Sequence, residues 1–251
     1  MKKLIVGSFF LLATSFSPQI FADGHKVYGP YPITLKGYSG DKTNSVKYTG
    51  QMARQALHDS LKALVKSGDV AKMMAYYNGE DGLEIIAPKS KDDFKIKQTM
   101  IADIGGGNLS GKTYKGAVAG WGNLTGPEVL EHMMTKAGEV DGGFDPNTGF
   151  DYTQLISKFA MGAVFYNQAA NNYLGKKMEL DQKPNSKPYK EGSYYTGKEH
   201  SWDEAFGYWG SAAHALTLTA EQNYNVAKKK DMASADYNGD GVVDLYSEYT
   251  Y

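Results

Sequence analysis

The residues best suited to chemistry stand near the C-terminus, in the run Asp236-Tyr-Asn238-Gly-Asp240-Gly241-Val242-Val243-Asp244. Calcium loops carry oxygen ligands at positions 1, 3, 5, 7 and 9, with Gly at position 6 for the sharp turn. Those positions fall on Asp236, Asn238, Asp240, the main-chain carbonyl of Val242 and Asp244, with Gly241 in the turn. Position 12, where a bidentate Glu closes such loops, is Ser247, and Glu248 stands one residue later. Hard oxygen donors at this spacing suit calcium, so residues 236–248 are read as a calcium-type loop. The bland alternative is a plain Asn-Gly/Asp-Gly turn. It leaves three aspartates repelling one another for no gain.

A second set is His200, Asp203 and Glu204. On a helix, residues three and four apart share a face. Imidazole and carboxylate together there suit iron or zinc. One helix face supplies too few ligands, so a site needs donors from elsewhere, and His58, His132 and Glu131 are the candidates. His214 lies about 15 Å further along a continuous helix, too far to share the ion. A hydrogen-bonded His–carboxylate pair without metal is the competing reading, and it weighs more.

Other chemistries are poorly represented. Gly106 to Thr113 fits G-x-x-x-x-G-K-[ST], but a P-loop must open a helix, and Tyr114-Lys-Gly-Ala-Val-Ala-Gly-Trp-Gly makes a poor first turn. A glycine-rich surface loop is the reading adopted. There is no H-E-x-x-H and no G-x-S-x-G. The absence of cysteine excludes disulfides, thiolate metal sites and a cysteine nucleophile.

The elements that must position these residues are mostly helical. Residues 198–222 contain no Pro and read as one long helix. Its apolar face collects Trp202, Ala205, Phe206, Trp209, Ala212, Ala213 and Leu216, opposite the His and carboxylate face. An earlier helix starts at Thr49, carries the stripe Met52, Ala53, Ala56, Leu57, Leu61, Leu64, Val65, and stops at Gly68. His58 at the edge of that stripe reads as a solvated or hydrogen-bonded side chain. Asp69 caps a shorter helix to Tyr77. Gly126-Pro127-Glu128 opens another that ends at Gly138. Asp151 begins a helix to about Leu174, with Leu155, Ile156, Phe159, Ala163, Tyr166, Ala170 and Tyr173 on its stripe. Short strands are expected at 33–35 and 45–48, with one strand or short helix within 96–104. The fold class is therefore mainly α, a helical bundle with Gly-rich loops and a few short strands.

Residues 1–22 read as a signal peptide: Lys2 and Lys3, an apolar run over 4–13, then Ala22 at the cleavage point. Residues 23–251 then form one domain destined for the periplasm or the outside of the cell. Cleavage removes two of the 27 cationic residues against 28 anionic ones, leaving a net charge of about −3. That is no footprint for nucleic acid. No second apolar run is long enough to span a bilayer.

Four segments in this order, Tyr48-Thr-Gly-Gln-Met-Ala-Arg54, Leu155-Ile-Ser-Lys-Phe-Ala-Met-Gly-Ala-Val164, His200-Ser-Trp-Asp-Glu-Ala-Phe-Gly-Tyr208 and Asp236-Tyr-Asn-Gly-Asp-Gly241, resemble a family of exported bacterial proteins that carries only a domain-of-unknown-function label. That family is distantly similar to the imelysins, helical-bundle proteins linked to iron uptake and once classed as metallopeptidases. The imelysin signature is G-x-H-x-x-E. His200 and Asp203 match its His and acidic positions, while Gly197 lies one place too early and the acid is Asp followed by Glu204. The family pattern continues into further helix beyond the calcium loop, so the chain reads as C-terminally truncated at Tyr251.

Three functions follow in order: an exported, non-catalytic ion-binding protein with calcium at the C-terminal loop and iron or zinc at the His200 helix; an imelysin-type metallopeptidase; and a cell-surface interaction module whose tyrosines contact an envelope protein or glycan.

Overall fold

A computed structural model describes residues 27–29, 35–179, 182 and 184–251. The expected signal peptide and most of the expected strand at 33–35 lie outside these residues. The described chain is mainly α-helical, with short strands: α1 Thr49–Leu64, α2 Val70–Asn78, β1 Lys95–Ile96, α3 Ile101–Ile104, α4 Gly126–Gly138, β2 Phe144–Asp145, β3 Phe150–Asp151, α5 Tyr152–Ala160, a π-helix over Met161–Tyr173, α6 Gly197–Trp209, α7 Ala220–Ala227 and β4 Val242–Val243.

Helix α1 is the hub, packing against α2, α3, α5 and α6. Its expected stripe is buried throughout, from Met52 to Val65, and Gly68 ends the helix at φ 68. Burying that stripe is the main gain, at about 1.5–3 kcal/mol for each large apolar side chain. The Asp69 carboxylate accepts from Lys72 N–H at 2.9 Å, capping α2. At α4, Glu128 Oε2 reaches back to accept from the Thr125 N–H at 2.7 Å and the Thr125 hydroxyl at 2.6 Å, with Pro127 in the first turn.

Three expectations need correction. Residues 45–48 form no strand; Lys47 N–H donates to the Asp203 carboxylate instead of to a neighbouring strand. The helix from Asp151 keeps α geometry only to Ala160 and continues as π-helix. Its i→i+5 bonding widens the turn. Burial accordingly falls on Tyr152, Ile156, Ala160, Val164, Gln168 and Tyr173, while Leu155 and Tyr166 face solvent. Finally, residues 198–222 are two helices. Gly210, at φ 74, takes the left-handed cap that ends α6, and its N–H bonds to the Phe206 carbonyl.

The faces of α6 also differ from the amphipathic reading. Trp202, Trp209 and Leu216 are exposed at 55%, 77% and 76%, whereas Ser201, Asp203, Ala205, Gly207 and Tyr208 are buried. Close packing explains the choice: a Cβ on Gly207 would lie 2.5 Å from Gln51 Cβ and 3.0 Å from Tyr48 Cβ. Only the small-residue face of α6 can approach α1.

Among the described residues no helix is long and apolar enough to cross a membrane. The C-terminal segment returns to the middle of the chain, where β4 pairs in parallel with β1, Lys95 opposite Val242 and Ile96 opposite Val243.

Candidate functional site

The acidic loop at 236–248 is held by its own backbone. Asp236 Oδ1 accepts from Gly239 N–H at 2.9 Å and Asp240 N–H at 3.2 Å, and its Oδ2 accepts from Gly241 N–H at 2.9 Å. Asn238 Oδ1 accepts from Asp240 N–H at 2.8 Å, and Asp240 Oδ1 from Val242 N–H at 3.0 Å. Each donor at positions 1, 3 and 5 is thus oriented by an amide further along the loop. Gly239 and Gly241, at φ 73 and 83, make the left-handed turns this path needs. Such bonds leave each carboxylate lone pairs to spend elsewhere.

Position 9 behaves differently. Asp244 accepts from Gln98 Nε2 at 2.7 Å, Lys97 Nζ at 2.9 Å and Tyr246 N–H at 2.8 Å. Burial pushes its pKa up, but these hydrogen bonds outweigh it, and the carboxyl sits below its usual range. Gln98 also receives Leu245 N–H through Oε1, so β1 and its continuation fix the loop's exit. Glu248 is 4% exposed and accepts from Asp244 N–H at 2.8 Å and Asn238 N–H at 3.3 Å. Burial raises its pKa, and the nearby Asp244 and Asp236 charges add to the shift. The chain therefore folds Glu248 back to position 3 of the loop although it stands one residue out of register.

His214 abuts this loop from outside. It is 1% exposed, and its ring stacks on Tyr237 at 4.9 Å and 25°. Neither ring nitrogen reaches a hydrogen-bond partner. Burial lowers its pKa, and the Ser234 carbonyl, near but outside bonding geometry, opposes this weakly.

The second expected set separates. Asp203 accepts from the Tyr28 hydroxyl at 2.5 Å and from Lys47 N–H at 2.8 Å. Glu204, on the other side, accepts through Oε1 from Gln51 Nε2 at 2.9 Å and from the Tyr173 hydroxyl at 3.0 Å. His200 Nε2 approaches Glu204 Oε2 at 3.7 Å, and its ring stacks on Tyr195 at 4.6 Å. The other candidates are engaged elsewhere: His132 rests edge-on to Trp121, Glu131 is exposed, and His58 meets α5. Among the described residues no three His, Cys, Asp or Glu side chains gather to hold a metal ion.

One constellation escaped the sequence reading. His58 Nε2 lies 3.2 Å from Ser157 Oγ, and Nδ1 lies 3.8 Å from Asp59 Oδ1. Ser, His and Asp invite comparison with a nucleophilic triad. Two facts argue against it. Nε2 also lies 3.2 Å from the Ser157 carbonyl, a bond that requires Nε2 to carry the proton and so to be no base for Oγ. Ser157 is 1% exposed, out of reach of any substrate. No short motif announces this contact, since 99 residues separate the partners.

The G-x-x-x-x-G-K-T stretch opens no helix beyond the one-turn Ser110–Lys112, and Thr113 is extended. Gly107 within it serves packing, since a Cβ there would meet the Arg54 guanidinium at 2.6 Å.

Residues 131–241 match the model of a family described as Domain of unknown function (DUF4856). No curated protein and no solved structure matches the chain. The matched span takes in α6 and the first half of the acidic loop.

Proposed function

We propose that the protein is an exported, non-catalytic ion-binding protein that takes calcium at residues 236–248. One observation carries the reading: Glu248 lies one residue past the usual closing position, yet it accepts from the Asn238 amide inside the loop. Asp236, Asn238, Asp240, the Val242 carbonyl and Glu248 are oxygen donors of the kind a hard cation takes, and the ion would have to draw their carboxylates together, since they do not already gather at one point among the described residues. Asp244 contributes through its neighbours or a water, as position 9 often does. The signal-like pattern of residues 1–22 supports export to the periplasm or beyond.

Calcium here has a structural task. The loop joins β4 to the core residues Leu245 and Tyr249, so an ion between the carboxylates would relieve their repulsion and hold this seam closed. Extracellular calcium modules work at a Kd of about 10⁻⁴–10⁻³ M. Calorimetric titration of the full chain with CaCl₂ tests the reading. Saturable binding that Asp240→Ala abolishes supports it; the absence of heat with the unaltered chain overturns it.

The rival is iron or zinc at His200, with an imelysin-type peptidase behind it. It draws on the 3.7 Å approach of His200 to Glu204. A catalytic zinc needs three protein ligands and an open position, and α6 sends Asp203 the other way. Elemental analysis of protein purified without tag or chelator tests the rival: retained iron or zinc supports it, and the absence of both metals overturns it.

A further inference from the structure

A groove of about 450 Å³ lies between residues 114–119 and the helix running from Lys158 to Asn171. That volume is within the usual range for small-molecule sites. Most of its floor is the π-helix, a rare geometry that often accompanies functional sites. Gly162 and Ala163 keep the floor low, and a Cβ built on Gly162 meets nothing within 4 Å. The wall is tied to the floor by Tyr114 N–H, which donates to the Ala163 carbonyl at 2.8 Å.

Two tyrosines flank this floor, Tyr114 at 46% and Tyr166 at 67% exposure. Along the helix from them stand Asn167 and Asn171, joined by an amide–amide bond of 3.3 Å that leaves each with hydrogen-bonding capacity to spare. Among the described residues the groove is lined by one charged side chain, Lys158, whose Nζ donates to the Met161 sulfur at 3.8 Å, and by no carboxylate. Aromatic faces, amides and a single cation around an otherwise apolar floor fit a sugar chain that bears negative charge: rings lie on tyrosines, hydroxyls meet amides, and a carboxylate meets the ammonium. A peptide that binds by adding to a strand edge fits less well, because the Tyr114 and Val118 amides of this wall are already spent on the Ala163 and Leu124 carbonyls.

We propose that this groove binds a short acidic oligosaccharide. The site is separate from the calcium loop and stands or falls without it. The test titrates the full chain by calorimetry with a galacturonic acid tetramer, a neutral glucose tetramer and a tetraglutamate peptide. Binding is expected for the acidic sugar, with about tenfold weaker affinity in Tyr166→Ala, the size of one lost aromatic contact. Gly162→Trp, which fills open space, abolishes it, and Lys158→Met removes the preference for the acidic over the neutral sugar. Circular dichroism confirms that each variant is folded, and Tyr166, largely exposed, keeps the test decisive should Gly162→Trp not fold. Failure of the acidic sugar to bind, equal binding of the neutral one, binding of the peptide in its place, or indifference to Tyr166→Ala overturns the proposal.

Discussion

Asp203 offers a sharp test of the packing described above. Its carboxyl is 5% exposed, and burial raises its pKa from 3.8 to about 6, against the opposing pull of the hydrogen bonds from Tyr28 and Lys47. A group whose pKa is raised by folding favours the folded state most below its unfolded pKa. That contribution is lost as pH rises through the folded value. The shift of about two units corresponds to roughly 3 kcal/mol at about 1.36 kcal/mol per unit. Asp203→Asn removes the titration while keeping the geometry: its amide oxygen can accept from Lys47 N–H, and its NH₂ can donate to the Tyr28 oxygen. The expected outcome is that the variant gains on the unaltered protein as pH rises from 4 to 7, by about 2.4 kcal/mol because pH 4 already lies just above the unfolded pKa, or roughly 5–10 °C in Tm. Paired thermal unfolding at both pH values measures this, because other titrating groups cancel in the difference. A stability difference that is the same at pH 4 and pH 7 would refute the reasoning.

Gly207→Ala would put a Cβ 2.5 Å from Gln51 Cβ. It should lose about 1–3 kcal/mol in urea unfolding despite Ala's higher helix propensity. His214→Phe keeps the stack on Tyr237 and deletes two unpartnered buried nitrogens. It should stabilise by about 1 kcal/mol at pH 7. The gain should grow as pH falls below 6.5, because the lowered folded pKa makes the native His contribute stability above its unfolded value and lose it in acid. Calcium at about a hundred times its Kd should stabilise by about 2.7 kcal/mol, so chelation should lower Tm by about 5–10 °C. A thermal scan with and without EDTA reads that directly.

Local signals in the sequence were legible where local physics decides. The α1 stripe, the Asp69 cap and the Gly126-Pro127-Glu128 helix start each act within a few residues, and each stands where its pattern places it. Reading failed where a distant partner decides. Two tryptophans on α6 imply a buried face by apolarity alone, but the contact with α1 admits only the side carrying Gly207. The polar residues on that side are satisfied by Tyr28, Lys47 and Gln51, 153 to 175 positions away. Past Ala160 the burial phase drifts because the helix changes its turn, and no residue type marks the change. For the candidate site, donor types and spacing at 236–244 were readable. The return of Glu248 and the capture of Asp244 by Lys97 and Gln98 depend on β1, which no local pattern links to the loop.

The central place of α1 bears on how the molecule comes to be folded. The α2 and α3 partners of this helix follow it closely, yet α5 and α6 begin about a hundred and a hundred and fifty positions later. The part of its apolar stripe that α5 and α6 cover must stay open while most of the chain is still being synthesised, and closing such long loops slows the search for the native arrangement. The nascent chain should accordingly be open to holding factors until α6 has emerged, and a chain released before that point should aggregate rather than settle into a smaller folded piece.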